Sequence, residues 1–137
     1  MNTKFDKAIQ LFDAANSKDP FKESAHGKTY PKELLYAQRM SAKLADFQSN
    51  ASEAVQLTVR CQHICRWEIA RDSYGMNRKG YLTWRRDLAK FHANKAAQIL
   101  SEANYDVTTI DKVKFLLQKK QLKKNKETQL LEDVICL

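Results

Sequence analysis

Glycine and proline are scarce in this chain, 3 and 2 in 137 residues. Few turns can therefore rely on a positive or a fixed φ. No segment of any length alternates polar and apolar residues as a half-buried strand does. Apolar residues instead recur at spacings of three and four. The expected fold is all-α: a bundle of five to six helices without a sheet, in a single domain over residues 1–137. That length can bury one substantial core.

The periodic segments and their punctuation place the helices. A first helix is expected over 3–16, carried by Phe5, Ala8, Ile9, Leu11 and Phe12 and stopped at Asp19-Pro20. Residues 21–30 read as a polar loop around His26-Gly27-Lys28. Pro31 sits where a first helical position favours proline, and a second helix follows to about residue 48. A third is expected over 52–67, then a loop over 71–80 containing Gly75 and Gly80, and a long fourth helix over 81–104. Thr109 is the expected cap of a fifth helix reaching residue 120. A sixth starts near Glu127, and its apolar positions Leu130, Leu131, Val134 and Ile135 are still periodic where the sequence ends. That pattern predicts a domain truncated at its C-terminus and an uncovered apolar patch that promotes homodimers.

Charge narrows the function classes. The formal charge is +8, and all seven arginines fall between Arg39 and Arg86, whereas Lys119, Lys120, Lys123, Lys124 and Lys126 crowd one short stretch. Arginine presents a planar fork suited to phosphate and carboxylate; lysine is a hydrated point charge. The segregation predicts an anion site in the middle of the chain and a solvated lysine surface near the end. The lysine stretch lacks interleaved aromatics and any nucleic-acid motif, so nucleic acid is a disfavoured partner. No apolar run approaches the roughly 20 residues of a membrane span. The odd cysteine count, with Cys61 and Cys65 one turn apart, and an N-terminus without an apolar signal core point to reduced thiols and a cytoplasmic location.

Three helices carry ionisable residues among apolar ones. Arg60, His63 and Trp67, at spacings of three and four, share a face of helix three. His92 lies in the stripe Arg85, Leu88, His92, Ala96, Ile99 of helix four, and Asp133 lies beside Leu130, Val134 and Leu137 on helix six. Burying such groups is costly unless they are paired or bind something. A lone inward histidine is more often a satisfied core residue than a ligand. Two histidines and an aspartate from three helices can nevertheless converge, and such a set can also hold a divalent metal.

Several strings carry a further signal: Pro31-Lys32-Glu33-Leu34-Leu35-Tyr36-Ala37-Gln38-Arg39-Met40, Gln62-His63-Ile64-Cys65-Arg66-Trp67, Gly80-Tyr81-Leu82-Thr83-Trp84-Arg85, Phe91-His92-Ala93 and Leu131-Glu132-Asp133-Val134. Together they resemble the domain-of-unknown-function family 4202 over essentially the whole chain. That family looks like a distant relative of the HD-domain phosphohydrolases, all-helical enzymes that hold a divalent metal with a histidine, a His-Asp pair and a later aspartate. The resemblance implies an HD-like bundle. It sets Arg39 near the first histidine, Gln62-His63 on the His-Asp pair, His92 on an additional histidine and Asp133 on the last aspartate. Arginine in the first place repels a cation, and glutamine is a weak ligand.

Two functions follow from the resemblance. One is a metal-dependent phosphohydrolase acting on a phosphorylated small molecule or nucleotide, with Mn, Fe, Zn or Mg held by His63, His92 and Asp133. These three would also be catalytic, and Arg60, Arg66 and Arg85 would neutralise phosphate. The other is a non-catalytic module that binds an anionic ligand or nucleotide through Arg39, His63, Arg66 and His92, with Gln62 and Glu132 counted in the ligand-binding set. Either way His63, His92 and Asp133 should meet in one pocket, walled by Arg39 and at least one of Arg60, Arg66 and Arg85.

Overall fold

The computed structural model describes residues 3–118. Helix α1 spans Lys4–Asn16, α2 Lys32–Phe47, α3 Glu53–Cys61, α4 Arg78–Glu102 and α5 Val107–Leu117, and strands β1 (Lys22–Ala25) and β2 (Lys28–Pro31) lie between α1 and α2. Two single 3₁₀ turns, Arg66–Glu68 and Arg71–Ser73, link α3 to α4. The expected helical bundle is thus present, with a small two-stranded sheet where none was expected. Among the described residues no helix is long and apolar enough to cross a membrane. The expected sixth helix, the lysine stretch and the apolar C-terminal patch lie outside the described residues.

Local chemistry sets the boundaries. Thr3 opens α1 with a capping box: its hydroxyl accepts from the Asp6 amide at 3.1 Å, and the Asp6 carboxylate accepts from the Thr3 amide at 3.4 Å. Ser52, Asn77 and Asp106 cap α3, α4 and α5 through the amides of Val55, Gly80 and Thr109. Helix α4 therefore starts three residues earlier than its apolar pattern suggests, and the cap of α5 is Asp106 rather than Thr109. Asn104, at φ +71°, takes the left-handed position that ends α4.

The segment read as a polar loop is a β-hairpin. Its strands pair antiparallel, Lys22 with Pro31 through Ala25 with Lys28. His26 and Gly27, at φ +52° and +75°, form the two-residue turn between them. Most hairpin side chains are exposed on both faces, so no alternation marks it in the sequence. Asp19 locks it to α2. This almost fully buried carboxylate accepts from the Phe21 amide and, across 14 residues, from the Glu33 amide, both at 2.9 Å. It supplies the cap that Pro31, at the N-terminus of α2, cannot provide.

The core is organised around α3, which packs against α1, α2 and α5. Val55, Leu57, Val59 and Cys61 are fully buried there, with Phe12 from α1, Leu44 from α2, Leu100 from α4 and Val113 from α5. Apolar burial on this scale, at roughly 25 cal/mol per Å², is what holds the bundle.

Candidate functional site

Helix α3 does not reach Trp67. It stops at Cys61, and residues 62–65 form a turn in which Cys65 takes φ +53°. A non-glycine residue there costs of order 1 kcal/mol, and a buried contact compensates: the Cys65 amide donates to Oδ1 of the buried Asn16 at 3.0 Å. Arg60, His63 and Trp67 therefore share no helical face. The turn instead brings the Ile64 carbonyl to α4 and sets His63 between α2 and α4.

His92 meets that carbonyl. Its Nδ1 lies 2.8 Å from the Ile64 oxygen, and the side chain is almost entirely buried. A carbonyl oxygen can only accept, so Nδ1 carries the proton. Burial, first, and the neighbouring His63 bring the His92 pKa down to about 3, so the ring is neutral and Nε2 keeps its lone pair. That Nε2 is buried without a hydrogen-bond partner, and so is Nε2 of Gln62.

His63 is held in a ring stack. Tyr36 of α2 lies parallel to it, centroids 4.2 Å apart, and His92 follows at 6.2 Å. Glu33, also on α2 and largely buried, brings its carboxylate 3.5 Å from His63 Nδ1. Burial and the same carboxylate raise the Tyr36 pKa, keeping its phenol protonated.

These groups border a pocket of about 510 Å³ lined by Gln62, His63, Arg66, Trp84, Arg85, Arg86 and His92, among others. Its described lining holds three arginines and two histidines and no carboxylate. Aromatic faces hold two of the guanidinium groups, Arg66 at 5.3 Å from the Trp84 ring and Arg85 at 5.8 Å from Tyr81, while the exposed Arg86 lies 3.8 Å from Asp87. Trp84 is itself fixed by its indole N–H, which donates to the Ile69 carbonyl at 2.9 Å. A cavity with this lining favours an anion and disfavours a cation.

The structure brings Gln62, His63, Arg66, Arg85 and His92 together and places two other expected residues elsewhere. Arg39 faces the hairpin, 3.6 Å from Glu23, with both side chains about half exposed. Arg60 makes a two-point pair with Asp13 of α1, at 2.7 and 3.0 Å, on the far side of α3's end. Helix α3 presents Arg60 to α1 and breaks before His63, which separates the two. Glu132 and Asp133 lie outside the described residues.

The Domain of unknown function (DUF4202) family model matches residues 6–137, nearly the whole chain. The chain belongs to the DUF4202 family. No curated protein and no solved structure matches it. Among the described residues of this DUF4202 chain, no three His, Cys, Asp or Glu side chains group as a metal ion requires. The two stacked histidines beside three arginines do not by themselves make a cation site. Cysteine chemistry finds no support here either: burial pushes the Cys65 thiol up to about 12 and also raises Cys61.

Sequence reasoning missed Glu33, Tyr36 and Arg86. Glu33 carried a usable signal, because it falls in the buried stripe Glu33, Ala37, Met40, Leu44 at spacings of four, three and four. Arg86 carried only the general clustering of arginines, and Tyr36 carried none. Their roles depend on how α2 and α4 cross the turn after α3.

Proposed function

We propose that this protein binds a phosphorylated small molecule, or another compact organic anion, in the pocket between the turn at residues 62–65 and α4. The observation that carries this reading is the lining: Arg66, Arg85 and Arg86 with His63 and His92, and no opposing carboxylate among the described lining residues. Guanidinium groups bind phosphate oxygens in pairs, and a partly enclosed site screens them less than open water does. A melting-temperature screen of the intact protein against nucleotides, sugar phosphates and inorganic phosphate tests it, since a ligand of the native state raises the midpoint. A shift with phosphate esters, reduced in Arg66→Ala, supports the reading. Absence of any shift with phosphorylated compounds removes it.

A second reading, hydrolysis of the bound phosphate ester, draws on one feature. The Glu33 carboxylate lies against His63 Nδ1, as an orienting group would, and so leaves the other imidazole nitrogen to exchange a proton with a ligand. The resemblance of the sequence strings to HD-domain phosphohydrolases agrees with this. Their metal would need His63, His92 and Asp133 together. Phosphate release from the ligands found above, measured alongside the metal content of purified protein, separates an enzyme from a binding module. Turnover that His63→Gln abolishes, with binding retained, favours the enzyme.

A further inference from the structure

Two residues that line the pocket hold buried polar atoms that a fully ionised phosphate does not satisfy. His92 Nε2 is a lone-pair acceptor, because the neutral ring carries its one proton on Nδ1, which donates to the Ile64 carbonyl. Gln62 Nε2 is a carboxamide donor. Both atoms are buried without partners, on side chains more than nine-tenths buried, and both residues line the same cavity. An ionised phosphate or carboxylate oxygen set against His92 Nε2 would bring two lone pairs together. An ammonium group would be opposed by Arg66, Arg85 and Arg86. An alkyl group would leave both polar atoms unsatisfied, at a cost comparable to a lost hydrogen bond for each.

We propose that the ligand carries free hydroxyl groups as well as its anionic group: a phosphorylated sugar or polyol whose phosphate meets the arginines. A ligand hydroxyl donates its hydrogen to His92 Nε2, and a hydroxyl oxygen accepts from the Gln62 carboxamide. The inference rests on the anion-binding reading of this pocket and adds the class of ligand. A hydroxyl suits both atoms because it is donor and acceptor at once. Sites built around such buried polar atoms discriminate strongly against analogues that lack the hydroxyl.

Matched pairs of phosphate esters test this by calorimetry on the full chain: ribose 5-phosphate against tetrahydrofurfuryl phosphate, and glucose 6-phosphate against cyclohexylmethyl phosphate. Each pair shares a phosphate and a ring of similar size and differs in the hydroxyls. At least one hydroxylated ester should bind tighter than its partner by roughly tenfold or more. Gln62→Met, which keeps the length and removes the donor, and His92→Phe, which keeps a ring and removes the acceptor, should each narrow that gap. If His92→Phe fails to fold, Gln62→Met alone decides. Equal binding within both pairs overturns the hydroxyl inference and leaves the anion reading intact. A gap that survives the substitutions overturns it as well, because the hydroxyl is then read elsewhere. No binding of any ester removes the anion reading and this inference with it.

Discussion

His92 donates through Nδ1 to the carbonyl of Ile64 at 2.8 Å, tying the middle of α4 to the turn that follows α3. This one bond joins fold and site. It fixes the imidazole tautomer, leaves Nε2 as the free nitrogen, and holds the turn that carries Gln62 and His63. His92 therefore has a structural part and a ligand-facing part, and the two are separable by experiment.

The pH dependence of stability isolates the structural part. The folded His92 pKa is about 3 against an ordinary value of 6.5, so below 6.5 the unfolded chain takes up a proton that the folded one refuses. Stability from this group is complete above 6.5 and is lost as pH falls toward 3, by at most about 1.4 kcal/mol per unit. Urea melts of the parent between pH 7 and 5 should show this extra loss, and His92→Phe should show a shallower dependence. Parallel curves for the two proteins would contradict it. Because the Ile64 carbonyl loses its donor, the same variant should be less stable at pH 7 by roughly 1–3 kcal/mol.

Arg60 and Arg66 should behave oppositely. Arg60 is paired with Asp13 at 2.7 Å and lies away from the pocket. Arg60→Ala should lower stability by about 1–3 kcal/mol through the stranded Asp13 and leave ester binding unchanged. Arg66→Ala should weaken binding roughly tenfold, since a charge-assisted contact contributes about 1.5 kcal/mol or more. Melts and calorimetry on both variants decide whether the two arginines divide in this way.

Asp19→Ala should cost about 2 kcal/mol, because one buried carboxylate serves the amides of Phe21 and Glu33. Its loss frees both the hairpin and the start of α2, which places Glu33 against His63. A urea midpoint measures the first effect. A weaker affinity for phosphate esters, smaller than that of Arg66→Ala, would register the second.

The two thiols among the described residues should be inert. Cys61 and Cys65 are buried and their pKa values are raised, so a thiol reagent at pH 8 should label neither until denaturant is added. Prompt labelling at either position, mapped by peptide mass, would show that the turn at 62–65 opens easily.

The helices were legible where one face is apolar and the opposite one polar. Residues such as Phe12, Leu44 and Leu100 recur at the spacing that burial imposes, and only helix ends moved. The hairpin was not legible, since a strand pair exposed on both faces needs no alternation, and its signal was the His26-Gly27 turn alone. The break at Cys61 was hidden for a different reason. The apolar pattern runs on through Ile64, and the stop is set by a tertiary bond from Asn16 to the Cys65 amide. His92 could be read as an inward histidine on its own helix. Arg39 and Arg60 were expected at the pocket wall from helix order and residue type, and neither says which way a side chain turns once α2 and α3 cross.

The most direct test of the anion site compares the melting temperature of the parent with that of an Arg66→Ala/Arg85→Ala double variant, each with and without a saturating phosphate ester. The parent should melt higher with the ester, the double variant should show little or no shift, and the parent's shift should shrink as salt is added. An equal shift in both proteins would place the anion elsewhere on this basic chain and contradict the account.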